Sequence, residues 1–121
     1  MYNIKSSNDK IIDAREESRF LGLEEPLDSV AGHIPGATCA PFIENLDEGY
    51  FLKPVELQKR FSRIFKDDPP DRKMVCYCGS GVTATHNILA LMLAGFEEPA
   101  LYAGSWSHWI NDPQRPIERS Q

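Results

Sequence analysis

The segment Cys78-Gly79-Ser80-Gly81-Val82-Thr83-Ala84 places one thiol and two hydroxyls in a loop relaxed by two glycines. It follows the apolar run Met74-Val75-Cys76-Tyr77 and precedes another, Ile88 to Ala94. A loop between a buried strand and a helix is where a parallel α/β sheet puts its reactive groups, at the carboxyl end of the strand and the amino end of the helix. Glycines let the backbone turn inward, so that several N–H groups converge on one sulfur. Those donors and the positive end of the helix dipole both favour a thiolate. Cys78 is therefore a candidate nucleophile, with the backbone of Gly79, Ser80, Gly81, Val82 and Thr83 as its cradle. A buried structural cysteine before an ordinary turn is the competing reading of the same residues.

The flanking elements must hold this loop in place. Lys10-Ile11-Ile12-Asp13 reads as a short buried strand, and residues 15–21 as a short helix or turn. Glu24 to Ser29, with Pro26, reads as loop, and Gly32-His33-Ile34-Pro35-Gly36-Ala37 as turn chemistry. Thr38 to Phe42 reads as a strand stopped by Pro41, and Asn45 to Phe51 as an exposed loop. Pro54 suits the first position of a helix. Leu57, Phe61, Ile64 and Phe65 then give that helix one apolar face. Residues 73–77 are too apolar for a solvated face, as in a strand of a parallel sheet. Thr83 to Ala94 reads as a largely buried helix capped by Gly95. Ala100-Leu101-Tyr102 reads as a last strand, and a turn and short helix follow from Gly104. The polar tail from Asn111 is expected to be loosely held. Strands alternating with helices predict a mostly parallel sheet covered on both faces.

With 121 residues the chain suits one domain, 1–121, with its core over about 10–111 and a polar tail over 112–121. A net charge of −5 without a basic stripe argues against nucleic acid. No apolar run reaches membrane-spanning length, and the first residues lack a signal-peptide core. Three cysteines without a secretion signal predict a reducing cytoplasm and no disulfide framework. The cysteines and His33, His86 and His108 lack zinc-like spacing, so no metal is expected. Cys76 and Cys78 point to the same side of a strand, and a disulfide between them would be strained. Cys76 and Cys39 therefore read as packing residues.

Four segments together resemble the rhodanese-like sulfurtransferases in order and spacing: Ile12-Asp13-Ala14-Arg15, Gly32-His33-Ile34-Pro35-Gly36-Ala37, the Cys78 loop, and Tyr102-Ala103-Gly104-Ser105-Trp106. The loop resembles the mercaptopyruvate type, found in the catalytic C-terminal domain of tandem-domain thiosulfate/3-mercaptopyruvate sulfurtransferases. The resemblance implies an α/β, three-layer fold with a central, mainly parallel five-stranded sheet flanked by helices. It implies an enzyme that moves sulfur from 3-mercaptopyruvate or thiosulfate, through a Cys78 persulfide, to a thiol, cyanide or a protein thiol, with no cofactor. It also gives Ser80 a part in substrate contact and proton handling; a plain turn residue is the alternative. Thr83 either bonds the sulfur or caps the helix.

The loop has no Lys or Arg, whereas relatives that favour dianionic thiosulfate carry cations there. A neutral loop suits a monoanionic 2-oxo acid, with Arg15 and Arg19 as candidates to hold its carboxylate. Surface pairing with Glu16, Glu17 or Glu24 is the alternative for both. Asp13 is expected to orient Arg15 or cap backbone, His33 to hold its turn, and Trp106 and Trp109 to pack. Three features depart from the family pattern. A second domain that would wall the pocket is not expected within this length, so the pocket should be more open. Leu21 and Leu27 stand where relatives carry arginine, and His108 replaces an acid in the closing motif. A cysteine-dependent phosphatase or arsenate reductase is the second enzymatic class. It would need an arginine where Ala84 stands. A persulfide carrier or partner-binding module with little small-molecule activity is the third.

Overall fold

Strand β1 (Lys10–Asp13) is buried along its whole length, Ile11 and Ile12 by packing and the terminal Lys10 and Asp13 with polar partners in Thr38 and Arg15. It lies in the middle of a parallel sheet, between β2 (Thr38–Cys39) and β5 (Met74–Tyr77), with β6 (Ala100–Leu101) beyond β5. The computed structural model describes residues 10–26, 28–65, 73–79 and 83–119. Among them the parallel sheet has four strands, where the family resemblance implied five. The chain leaves β1 toward β2 and leaves β5 toward β6. Strand order therefore reverses between β1 and β5, and such a reversal opens a crevice at the carboxyl ends of the two strands.

Period-two alternation divides the core between the two faces of the sheet. Ile12 and Cys76 pack with Leu57 and Phe61 of α2 (Pro54–Ile64) and with Ala90 and Leu91 of α3 (Ala84–Leu93). Ile11, Val75 and Tyr77 pack on the other face with Ile34, Tyr102 and Trp106. Trp106 belongs to α4 (Ser105–Trp109). The short helix α1 (Glu17–Phe20) follows β1 and buries Phe20. Pro54 occupies the start of α2, and Gly95, at φ 96°, takes the left-handed position that ends α3.

Four expectations need correction. Strand β2 ends at Cys39, because after Pro41 the chain forms a 3₁₀ helix, Phe42–Asn45. The segment expected as an exposed loop is a hairpin of β3 (Leu46–Asp47) and β4 (Tyr50–Phe51). Its turn residues, Glu48 and Gly49, both have positive φ, as a two-residue hairpin loop requires. The hairpin is anchored from below: Asn45 is fully buried and donates to Asn87 Oδ1 at 2.7 Å, while Asn87 donates to the Ala40 carbonyl at 2.9 Å. Helix α3 is not buried all round, since Leu89, Met92 and Leu93 are 42–48 % exposed. The tail is tied down, since the His33 and Glu118 backbones exchange hydrogen bonds and Trp109 Nε1 donates to the Pro116 carbonyl.

Candidate active site

Cys78 is the first residue after β5, and its side chain joins the α2/α3 face of the core with only 1 % of the residue exposed. Its backbone is clamped from α4. The Cys78 N–H donates to Ser105 Oγ at 3.0 Å, and the Trp106 and Ser107 N–H groups donate to the Cys78 and Gly79 carbonyls, each at 2.9 Å. Ser105 Oγ in turn donates to the Tyr102 carbonyl at 2.9 Å. This hydroxyl is fully buried, and its residue holds φ at 54°, a left-handed conformation that non-glycine residues seldom adopt. In the sequence Ser105 stands in a family motif without a role; its contact with the Cys78 N–H and its positive φ arise only in the fold. Ser105→Ala should leave the Cys78 N–H buried and unpaired, costing about 1–3 kcal/mol. Ser105→Gly loses the same hydroxyl but relieves the backbone. Alkylation of Cys78 should slow in both variants, while thermal melting shows the glycine variant to be the more stable. Unchanged alkylation in both would remove Ser105 from the site.

The two candidate arginines part company. Arg15 is a buried structural cation. Its Nη2 and Nε bond the Asp13 carboxylate at 2.8–3.1 Å, Nη2 also donates to the Gly32 carbonyl at 2.6 Å, and the guanidinium lies over the Trp106 ring at 4.9 Å. Burial alone would lower its pKa, but the Asp13 hydrogen bond and charge outweigh that and raise it. Arg15 is thus engaged inside the fold, with Asp13 and Gly32 as its partners. Asp13 orients it, as expected. Arg19 reaches the loop: a side chain added at Gly79 would come within 3.2 Å of Arg19 Nη2. Arg19 pairs with Glu25 at 3.0 Å and Asp28 at 3.5 Å, rather than with Glu16, Glu17 or Glu24.

Ser80, Gly81 and Val82 lie outside the described residues. Thr83 precedes α3 and makes no side-chain cap. His33 holds its turn as expected, with Nδ1 2.7 Å from the Phe20 carbonyl and its ring stacked on Phe20. Trp106 is fully buried, with Nε1 donating to the Val30 carbonyl. His108 pairs with the Tyr102 hydroxyl through Nδ1. His86 leans on the Phe42 and Phe51 rings, with its buried Nδ1 unbonded. A cavity of about 570 Å³ opens beside β2, but its lining includes neither Cys78 nor Gly79. Among the described residues no three His, Cys, Asp or Glu side chains are grouped to hold a metal, and no helix is long and apolar enough to cross a membrane.

The other two thiols are chemically quiet. Burial pushes both Cys39 and Cys76 up to about 12, with the Asp13 charge adding to Cys39 and the Cys78 charge to Cys76. In the unfolded chain such thiols ionise at about 8.5. The folded state then holds protons that the unfolded state has lost, so stability is full below that value and falls as pH rises toward about 12. The thermal midpoint should decline across this window, and Cys76→Ala should make the decline shallower. An equally steep decline in the variant would refute this account.

Cys78 directly follows β5, at the switch point of the parallel sheet of an α/β domain. The chain matches the rhodanese-like domain over residues 2–112 and belongs to that family. "Probable 3-mercaptopyruvate sulfurtransferase" of Pseudomonas aeruginosa is 58 % identical over 108 residues, 88 % of this chain and 38 % of the relative. The 3-mercaptopyruvate sulfurtransferase of Mus musculus is 39 % identical over 112 residues, 88 % of this chain and 36 % of the relative. The crystal structure of the Tum1 protein from Saccharomyces cerevisiae superposes with a TM-score of 0.80 at 31 % identity, covering 94 % of this chain and 41 % of that one. The chain thus spans less than two fifths of the length of these two curated relatives.

Proposed function

We propose that this domain is a sulfurtransferase with Cys78 as its nucleophile. The observation that carries the reading is the clamped Cys78-Gly79 backbone at the end of β5, with Arg19 against Gly79. The Cys78 thiolate attacks the sulfur of a donor. With 3-mercaptopyruvate the carbon–sulfur bond breaks, and pyruvate leaves as its enolate and takes a proton. With thiosulfate the sulfur–sulfur bond breaks and sulfite leaves. Either way Cys78 becomes a persulfide, whose outer sulfur a thiol or cyanide then removes, restoring the thiolate. No net oxidant is required.

In this reading Arg19 meets the donor's anionic end, and the amides from Gly79 to Thr83 stabilise the charged sulfur. A neutral loop favours the 2-oxo acid. We assign the protein to the cytoplasm, where free thiols persist as acceptors. Steady-state transfer to cyanide and to a dithiol, with 3-mercaptopyruvate and thiosulfate side by side, tests the assignment. Turnover that prefers mercaptopyruvate supports it. A persulfide that forms on Cys78 yet passes only to a protein thiol would make the domain a carrier.

A further inference from the structure

We infer that Asp28 sets the donor preference of the Cys78 site, by cancelling the charge of Arg19 and so disfavouring dianions relative to monoanions and neutral molecules. The inference rests on Cys78 being the reacting group.

Arg19 stands against Gly79, the residue after the nucleophile, so its guanidinium is the nearby charge that an anionic donor would meet in this reading. That guanidinium is already bracketed by carboxylates. Glu25 takes Nη2 at 3.0 Å and Nε at 3.3 Å, and Asp28 takes Nη2 at 3.5 Å. The two acids are not equivalent. The Glu25 side chain is 5 % exposed, also faces Arg15 at 3.4 Å, and accepts the Asp28 N–H, so it is built into the loop's structure. Asp28 is more exposed, at 15 %, and is linked to Gly79 through Ser107. Ser107 Oγ lies 2.9 Å from both Asp28 Oδ1 and the Gly79 carbonyl, so its one proton is shared between the acid and the loop. Asp28 is therefore the junction between the cation and the loop. Among the described residues two arginines, Arg15 and Arg19, face three carboxylates, Asp13, Glu25 and Asp28, so the acids outnumber the cations.

The interaction energy of Asp28 with a donor scales with the donor's charge, and the rate with its exponential. Asp28→Asn keeps an oxygen acceptor for the Ser107 hydroxyl and removes only the charge. It should raise kcat/KM on the order of threefold for monoanionic mercaptopyruvate and, by squaring, about tenfold for dianionic thiosulfate. The gain should shrink in high salt.

A second readout needs no turnover. Alkylation of Cys78 by iodoacetate, an anion, and by neutral iodoacetamide is followed by peptide mass mapping, which separates Cys78 from Cys39 and Cys76. Asp28→Asn should raise the iodoacetate-to-iodoacetamide rate ratio about threefold. Ser107→Ala, which removes the hydrogen bond but leaves the charge, should not move that ratio. An unchanged ratio in Asp28→Asn, or an equal acceleration of both reagents, overturns the inference. If the wild-type protein turns over neither donor but the ratio shifts as expected, the sulfurtransferase reading fails, while the discrimination by charge that Asp28 exerts at Cys78 stands.

Discussion

Asp13→Ala is expected to remove about 3–5 kcal/mol of stability, much of what holds a domain of this size together. The carboxylate is fully buried and accepts three contacts from the Arg15 guanidinium and one from the Arg15 N–H. Without it, a guanidinium that is itself 1 % exposed keeps a full charge in the interior, with Glu25 at 3.4 Å as its remaining acidic partner. Because Arg15 also ties β1 to Gly32 and lies over Trp106, the damage should spread from the sheet to α4 and hence to the Cys78 clamp. The pair itself need not be strongly stabilising, since desolvation opposes it; the severity comes from leaving one partner alone. Asp13→Ala combined with Arg15→Met should therefore be more stable than Asp13→Ala alone. Denaturant unfolding of the two variants checks this, and a double variant no more stable than the single would show that the buried charge is not the cause.

Cys78→Ser carries the second large effect, complete loss of transfer with little change in fold. A serine hydroxyl is a far poorer nucleophile toward sulfur and cannot carry a persulfide. Its backbone N–H and carbonyl can still meet Ser105 and Trp106, so melting should barely move. Cys76→Ser should behave oppositely. That thiol is fully buried on the same face and stays protonated, so a hydroxyl there costs stability while the chemistry survives. Steady-state assays and melting curves on the two variants separate these cases. Equal loss of transfer from both would point instead to a redox pair.

Much of this arrangement is legible in the residues, for identifiable reasons. The pair Ile11-Ile12 and the apolar run 74–77 are short, and they became the central strands. Pro54 and the spacing of Leu57 and Phe61 located α2. Long-range polar contacts were not legible. Local composition made residues 45–51 look like loop, because the partners that bury Asn45 are Asn87 and Arg60, far along the chain. The same limit hid the tail, which pairs with His33 across most of the sequence. It also left Arg15 and Arg19 indistinguishable as candidates. Only the fold turns one inward to Asp13 and brings the other to Gly79, where Asp28, absent from the sequence reading, meets it. The α3 stripe of Leu89, Met92 and Leu93 shows the converse, since apolarity alone does not say which side of a helix the core takes.

The most direct test is to expose the protein to 3-mercaptopyruvate without an acceptor, remove excess donor, and map its cysteines by mass spectrometry under non-reducing conditions. One added sulfur atom on Cys78, absent from Cys39 and Cys76 and discharged by cyanide as thiocyanate, is the result expected here. No sulfur on Cys78 with either mercaptopyruvate or thiosulfate, in a protein that melts cooperatively, would contradict it.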